Sequence, residues 1–421
     1  MRVGGIVRVP GDKSISHRSL MLAALAEGSS TIRDILISAD VESTADALRA
    51  LGVTIPPLST AFQIVGGGTR SLREPGENLD CGNIGTTTRL MAGIAAASPF
   101  TSRFIGDASL SRRPMKRVAR PLTKMGARFD FENQDGLPFR VHGARLAPTS
   151  WTTEATSAQI KSAILLAGIT AGVAVEVREP SRSRDHTERM LAAQGAIVDT
   201  EGSVVRLAPP ASGRLEPLSI TVPSDPSSAA FVAALAALAD EGSIELPSVC
   251  LNPTRTGFFR ALEQMGARVE ITTGEAQGGE EVGTVVVSAS TLSGIDLQPD
   301  DVPSMIDELP LLACVAARSA GTTRVRGAAE LRVKESDRIA TVVSNLRAIG
   351  VDAEEQPDGF TVTGSDRPLR GRVTTLGDHR IAMAFGVLAA FPGNEITIDD
   401  PGCVSVSYPA FWDDMRRAVV G

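Results

Sequence analysis

The sequence predicts an α/β (α+β) protein of two domains, each built from three stacked repeats. Three observations carry this. An apolar, small-residue-rich helix followed by a β-branched stretch recurs six times, as SHRSLMLAALAEGSSTIRDI, GTTTRLMAGIAAASPFTSRFIGD, SAQIKSAILLAGITAGVAVEV, SSAAFVAALAALADEGSIELPSV, DELPLLACVAARSAGTTRVRGA and DHRIAMAFGVLAAFPGNEITIDD. A second unit, a helix that ends in glycine and steps into a strand, recurs as LRALGVTI, LTKMGARF, LAAQGAIV, LEQMGARV and LRAIGVDA. Its glycines (52, 126, 195, 266 and 350) are spaced by 74, 69, 71 and 84 residues, and the C-terminal helix around DDMRRAVVG supplies a sixth. Repeats of this kind bury one another's apolar faces. Finally, 421 residues exceed the size at which a single core keeps growing.

In chain order, IVRVPGDKS reads as a strand leading into the first helix, which opens with PGDKSISHRS. The glycine-bracketed turn from Gly82 to Arg89 opens the second apolar helix, and Thr156 to Gln159 opens the third. The fourth is capped by Ser224, Asp225 or Ser227 after Pro223 and runs to Ala239. Asp307-Glu308 opens the fifth and Asp378-His379-Arg380 the sixth. A strand precedes the first helix and none follows the last unit, so the first residues are expected to pair with the second half. The Pro-rich VPSDPSS marks the crossing. The expected domains are residues 1–12 with 223–421, and residues 13–222, with a hinge at the two crossings and the ligand site in the cleft.

Composition narrows the function. Hydrophobic residues make up 43% and charged residues 22%, as in an ordinary soluble protein. Aromatics are only 4%, so the core must be Ala, Val, Leu and Ile. A net charge of −7 argues against a dedicated nucleic-acid binder. Basic residues still cluster at 112–120 and in EPSRSRDHTER, which fits an anionic small molecule better than a polymer. Four cysteines (81, 250, 314, 403) show no metal spacing, so disulfides are not expected and a cytoplasmic location is. No signal peptide or membrane span is read from the sequence.

The helix starts carry the chemistry. Lys13, Ser14 and Arg18 fall within a turn of an N-terminus, where backbone amides and the helix dipole favour an anion. The same residues also suit a plain capped helix with its cations in solvent. Arg112, Arg113 and Lys116 form a second basic cluster, and the stretch from Arg332 to Arg338 a third. Lys334 and Arg338, four apart, are expected on one helix face with Glu335 one position round, either as a site or as a surface salt-bridge lattice. Many cations require phosphates and carboxylates in the ligands. No GxxxxGK[ST] loop, HExxH pair or GxSxG elbow is present.

The motifs PGDKSISHRSL, LDCGNIGTTTRLMAG, GDASLSRRPM, SAQIKSAILLAG, SRDHTERML, DELP, LRVKESDRI and GDHRIAMAFGVLA, in this order and over nearly the whole chain, resemble those of the 5-enolpyruvylshikimate-3-phosphate synthases. The resemblance implies a two-domain inside-out barrel fold of six βαβαββ repeats, three per domain, which closes on its substrates. It implies transfer of the enolpyruvyl group of phosphoenolpyruvate to shikimate 3-phosphate by a cytoplasmic monomer, without metal or organic cofactor. Residue by residue, Lys13 and Arg113 engage phosphoenolpyruvate, beside a loop containing Asn83, Gly85 and Thr86. Ser14, Arg18, Ser157, Ala158, Gln159 and Arg184 hold shikimate 3-phosphate. The resemblance implies Asp307 as base at its 5-hydroxyl and Glu335 as the proton donor, with Lys13 a competing candidate. Lys334, Arg338 and Arg380 complete the anion set.

Three positions depart from the pattern. Ala158 replaces a serine, Val406 stands where part of the family has lysine, and Glu330 where many members have asparagine. The related UDP-N-acetylglucosamine enolpyruvyl transferases carry a reactive cysteine in a mobile loop and an asparagine after the early lysine. Here Ser14 follows Lys13, and no cysteine lies between residues 82 and 249. A non-catalytic phospho-metabolite binder would have no use for Asp307 and Glu335 together. An RNA-end-processing relative would want a nucleotide-linked histidine and a basic surface, and neither is evident. In the family, glyphosate competes with phosphoenolpyruvate beside the glycine that matches Gly85, and glycine there implies a sensitive enzyme.

Overall fold

Each of the five recurring glycines adopts a backbone that costs other residues strain. In the computed structural model, which describes residues 1–420, φ is +87° at Gly52, +124° at Gly126, +90° at Gly195, +102° at Gly266 and +93° at Gly350. A left-handed residue just past a helix turns the chain back, and glycine has no Cβ to obstruct it.

The helices are α1 (Lys13–Leu25), α2 (Ala39–Ala50), α3 (Gly85–Ala96), α4 (Lys116–Met125), α5 (Ala158–Ala171), α6 (His186–Ala193), α7 (Pro226–Leu238), α8 (Gly257–Gln264), α9 (Leu309–Ala316), α10 (Arg338–Ala348), α11 (His379–Ala389) and α12 (Phe411–Ala418). The odd-numbered helices are the six apolar echoes, and each is buried nearly all round. The even-numbered ones up to α10 precede the glycine steps. The sixth step, at Gly421, lies outside the described residues. Side-chain carboxylates cap several helices: Asp12 accepts from the Ile15 amide at 2.8 Å and Asp225 from Ser227 at 2.8 Å.

The chain divides into two compact units. One contains Met1–Pro10, Pro223–Glu275 and everything described from Glu281 onward; the other contains Gly11–Val222 and Ala276–Glu280. In the first unit, α7, α9 and α11 share a core with residues such as Phe231, Leu312 and Phe385. In the second, α3 and α5 approach so closely that a Cβ on Gly93 would lie 2.2 Å from the Ala163 carbonyl oxygen. Small residues are what allow that approach.

Among the described residues, six sheets accompany the six apolar helices. In one complete repeat, strand Leu79–Asp80 is parallel to Thr101–Ile105, which pairs antiparallel with Phe139–His142, beside Arg128–Phe131. The repeats beginning at Thr149–Thr152 and Asp296–Leu297 follow the same order. A fourth four-stranded sheet takes its first strand, Arg2–Val3, from the start of the chain, parallel to Glu241–Cys250.

The expectation of six full βαβαββ units needs correction, because the remaining two sheets have three strands and two. Between Gly52 and the strand Ala61–Gly67 the chain forms no strand, since Pro56 and Pro57 remove the amides a ladder needs. The strand expected at IVRVPGDKS is also reduced. Ile6 makes an isolated bridge to Glu245, and Pro10 has no amide to extend it. Among the described residues, no helix is long and apolar enough to cross a membrane.

Candidate active site

In the unit that holds α1, α3 and α5, cations gather at helix starts. Lys13 forms an ion pair with Asp40 of α2. Arg18, only 4% exposed, engages all three nitrogens of its guanidinium: Nε donates to Thr187 Oγ1 at 2.7 Å, Nη2 to Ser162 Oγ at 2.9 Å and Nη1 to the Ser14 carbonyl at 3.0 Å. Burial pulls Arg18 down to about 10, against the nearby carboxylates of Glu188 and Asp12. One residue back, His17 Nδ1 meets Thr44 Oγ1 at 2.7 Å, and Thr44 meets Thr87 of α3 at 2.6 Å. Burial first, then Lys13 and Arg18, hold His17 well below its ordinary pKa.

Neither α3 nor α5 has a side-chain cap, so their first amides keep the anion-seeking character of a bare N-terminus. Around the start of α3, Asn83 donates to Asp107 at 2.7 Å and accepts from Arg113. Gln159 of α5 donates to Thr86 at 2.9 Å and accepts from Arg89. The two guanidiniums lie over Gly85, where a Cβ would be 2.8 Å from Arg89 Nη1 and 3.5 Å from Arg113 Nη1. Asn83, Gly85, Thr86, Arg113 and Gln159 are thus brought together. Arg89 is the member that sequence reasoning missed, although an arginine inside an otherwise apolar helix was the available signal.

At the start of α5, Ser157 Oγ receives Arg117 Nη2 at 3.3 Å, and the Ser157 amide donates to Glu179 Oε1 at 3.1 Å. Ala158 and Gln159 are half-buried on the first turn, and Arg184 is half-buried in the loop before α6.

The other unit concentrates acids and cations on three helix starts. Asp307 lies on the 3-10 turn Ile306–Glu308 that leads into α9. Its Oδ1 is 3.3 Å from Lys334 Nζ and 3.1 Å from Arg338 Nη1. Arg338, 1% exposed, also holds Glu335 at 2.7 Å and Asp378 at 2.8 Å. Burial opposes the charge on Arg338, but Asp378 and Glu335 raise its pKa above the ordinary value. Burial likewise opposes Asp378, which Arg338 nevertheless lowers. Arg380 Nη1 donates to Glu308 Oε1 at 3.2 Å and to the Asp307 carbonyl at 3.4 Å. Glu308 also accepts from Ser227, which receives Arg255 Nη2 at 2.9 Å.

One expectation fails here. Lys334 and Arg338 do not share a helix face, because Lys334 ends the 3-10 turn Ala329–Val333 and α10 begins only at Arg338, capped by Asp337. They meet at Asp307 through a bend instead. Glu330 lies half-buried on that 3-10 turn, and Val406 half-buried on the turn Pro401–Val406.

By fold, the chain is similar to enolpyruvyl transferases. It superposes on the enolpyruvyl transferase NikO from Streptomyces tendae with a TM-score of 0.76, over 99% of this chain and 95% of that one, at 18% identity, a likeness of fold alone. An EPSP synthase structure from Acinetobacter baumannii gives a TM-score of 0.86 at 40% identity, covering 99% and 96%. The 3-phosphoshikimate 1-carboxyvinyltransferase of Sulfurihydrogenibium sp. (strain YO3AOP1) is 46% identical over 420 residues, 99% of this chain and 97% of that protein. The model of the EPSP synthase (3-phosphoshikimate 1-carboxyvinyltransferase) family matches residues 1–415, and the chain belongs to that family.

Proposed function

We propose that this chain transfers the enolpyruvyl group of phosphoenolpyruvate to the 5-hydroxyl of shikimate 3-phosphate, releasing phosphate by addition and elimination. The observation that carries the reading is the cluster of Asp307, Glu335, Lys334 and Arg338, in which two acids stand against the same buried guanidinium. In the addition, the hydroxyl oxygen attacks C2 of the donor while Asp307 takes its proton and Glu335 protonates the methylene carbon. In the elimination, the methyl carbon returns a proton to Glu335 and the C–O bond to phosphate breaks, the departing phosphate taking the proton that Asp307 holds. Lys13 is the alternative carrier of protons.

Arg113, Arg338 and Arg380 receive the phosphate and carboxylate of phosphoenolpyruvate as charge moves between them, with Lys334 beside Asp307. Asn83, Gly85 and Thr86 border the donor. Ser14, Arg18, Ser157, Ala158, Gln159 and Arg184 hold shikimate 3-phosphate. Asp307, Lys334, Glu335, Arg338 and Arg380 belong to one unit, and the other residues named belong to the second. It takes the protein to act as a cytoplasmic monomer.

Purified protein supplied with the two substrates and no added metal should release inorganic phosphate. Absence of release, where a control synthase turns over, sinks the reading. Release with UDP-N-acetylglucosamine as acceptor would move the protein to the sugar-nucleotide branch.

A further inference from the structure

Strand Val175–Arg178 delivers Glu179 into the interior beside the start of α5, where its side chain is 1% exposed. Its carboxylate is occupied on every side. Oε1 accepts from the Ser157 amide at 3.1 Å. Oε2 accepts from Ser183 Oγ at 2.7 Å and from the Ser183 amide at 3.4 Å, and it pairs with Lys161 Nζ at 2.8 Å. Lys161 is the lone charged residue of α5, 1% exposed, and it also meets Glu188 Oε1 at 2.8 Å and the Ser183 carbonyl at 3.4 Å. Burial works against its charge, but Glu188 and Glu179 outweigh it and raise its pKa.

We propose that Glu179, paired with Lys161, is the positioning residue of the shikimate 3-phosphate phosphate subsite, because one carboxylate fixes both the start of α5 and the loop that carries Arg184. The inference rests on the proposed assignment of Ser157, Ala158, Gln159 and Arg184 to that substrate.

The chemistry explains why a carboxylate is required. Three protein donors and an ammonium converge on it, and only an acceptor-only group satisfies them all; glutamine would turn an NH₂ toward at least one donor. The bond to the Ser157 amide also decides which groups remain for the substrate. That amide is committed inward, so the Ser157 hydroxyl and the amides of Ala158 and Gln159 are left to face an anion. A carboxylate beside a phosphate subsite would repel the ligand if it were bare, and Lys161, shared with Glu188, offsets part of that repulsion. Glu179 does not touch substrate; it acts through Ser157 and the Ser183 loop.

Glu179→Gln and Ser183→Ala in the full chain provide the test, by steady-state kinetics on both substrates and by calorimetric titration with shikimate 3-phosphate. Glu179→Gln should raise KM and Kd for shikimate 3-phosphate about tenfold, with KM for phosphoenolpyruvate changed less than about twofold and kcat less than about threefold. Ser183→Ala, which removes one arm of the clamp, should shift the same two constants by about threefold. Unchanged shikimate 3-phosphate affinity in Glu179→Gln overturns the proposal, and so does an equal loss for both substrates with a lowered melting temperature, which assigns Glu179 to packing. If Glu179→Gln does not fold, Ser183→Ala decides, and wild-type constants in that variant overturn the proposal. Wild-type protein without turnover defeats the functional reading itself, whereas normal turnover with unaltered affinity in the variants defeats only this inference.

Discussion

Arg338 holds Asp307 at 3.1 Å, Nη1 to Oδ1, from a position 1% exposed. The proposed base is therefore anchored from behind, by a cation that Asp378 grips through Nε at 2.8 Å and Nη2 at 3.2 Å. The position of the acid is set by residues from the starts of two other helices, α10 and α11.

Replacing Arg338 by methionine leaves these carboxylates buried without their counter-charge. Removing one partner of a buried ion pair costs about 3–5 kcal/mol, because the other charge stays desolvated. Denaturant unfolding of Arg338→Met should show a loss on that scale. A loss under about 1 kcal/mol would mean the acids simply protonate or rehydrate.

Asp307→Asn keeps the shape of the side chain and removes the group that takes the proton. We expect kcat to fall by about 10²–10⁴ with both KM values little changed, the pattern of a group used only in the transition state. Glu335→Gln should behave in the same way, less severely if Lys13 shares the proton traffic. Near-normal kcat in Asp307→Asn would place the base elsewhere.

Gly85→Ala puts a methyl group 2.8 Å from Arg89 Nη1, the atom that donates to Gln159. The end of an arginine can yield, so folding should survive while the shape of the donor pocket changes. Glyphosate is longer than phosphoenolpyruvate and should lose more, roughly 1–3 kcal/mol on the scale of an overpacked site. Inhibition measured against varied phosphoenolpyruvate should show a sensitive wild type and a tolerant variant. An insensitive wild type, or a variant just as sensitive, would show that the methyl group does not govern this pocket.

His17 should make stability depend on pH. Burial, then Lys13 and Arg18, keep its folded pKa well below 6.5, with Asp12 opposing. The unfolded chain takes up the proton near 6.5 while the fold keeps the ring neutral. The His17 contribution is therefore complete above that pH and falls as pH drops below it, by at most about 1.4 kcal/mol per pH unit. Glu188, which burial pushes up, runs the opposite way: its contribution is complete below the ordinary glutamate value and declines as pH rises above it. The difference between wild type and His17→Gln isolates the histidine. Denaturant midpoints from pH 7 to about pH 5 should fall less steeply in the variant; parallel slopes would contradict this.

Much of the fold was legible because its two recurring signals have simple causes. A helix of Ala, Leu and Val with almost no charge has to be buried, and all six were found so. Glycine after a helix has to turn the chain, and all five do so with positive φ. The failures came where local chemistry interrupts a pattern. Pro56 and Pro57 abolish a strand that VTI would otherwise begin, and Asp337 caps α10 three residues later than the Lys334 spacing implied. Of the site, the helix starts and their cations were visible as residue types. Glu179 and Lys161 were not, because a buried polar group reveals its role only through partners distant in sequence. A lysine in the apolar run of α5 was nevertheless a signal, since such a charge has to be matched inside.

In the unit that contains α9, α10 and α11, the cations assigned to substrate anions already have carboxylate partners: Lys334 has Asp307, Arg338 has Asp307, Glu335 and Asp378, and Arg380 has Glu308. Ligand capture there is an exchange of counter-ions rather than the filling of an unoccupied positive hole. The free energy of binding is then a difference between two sets of ion pairs, smaller than the number of cations implies. Simple monovalent anions fare poorly in such an exchange, since one charge at one point replaces a divided, hydrogen-bonded carboxylate. A ligand with several anionic oxygens at fixed spacing can match what it displaces, so the internal acids act as a threshold on which anions are admitted.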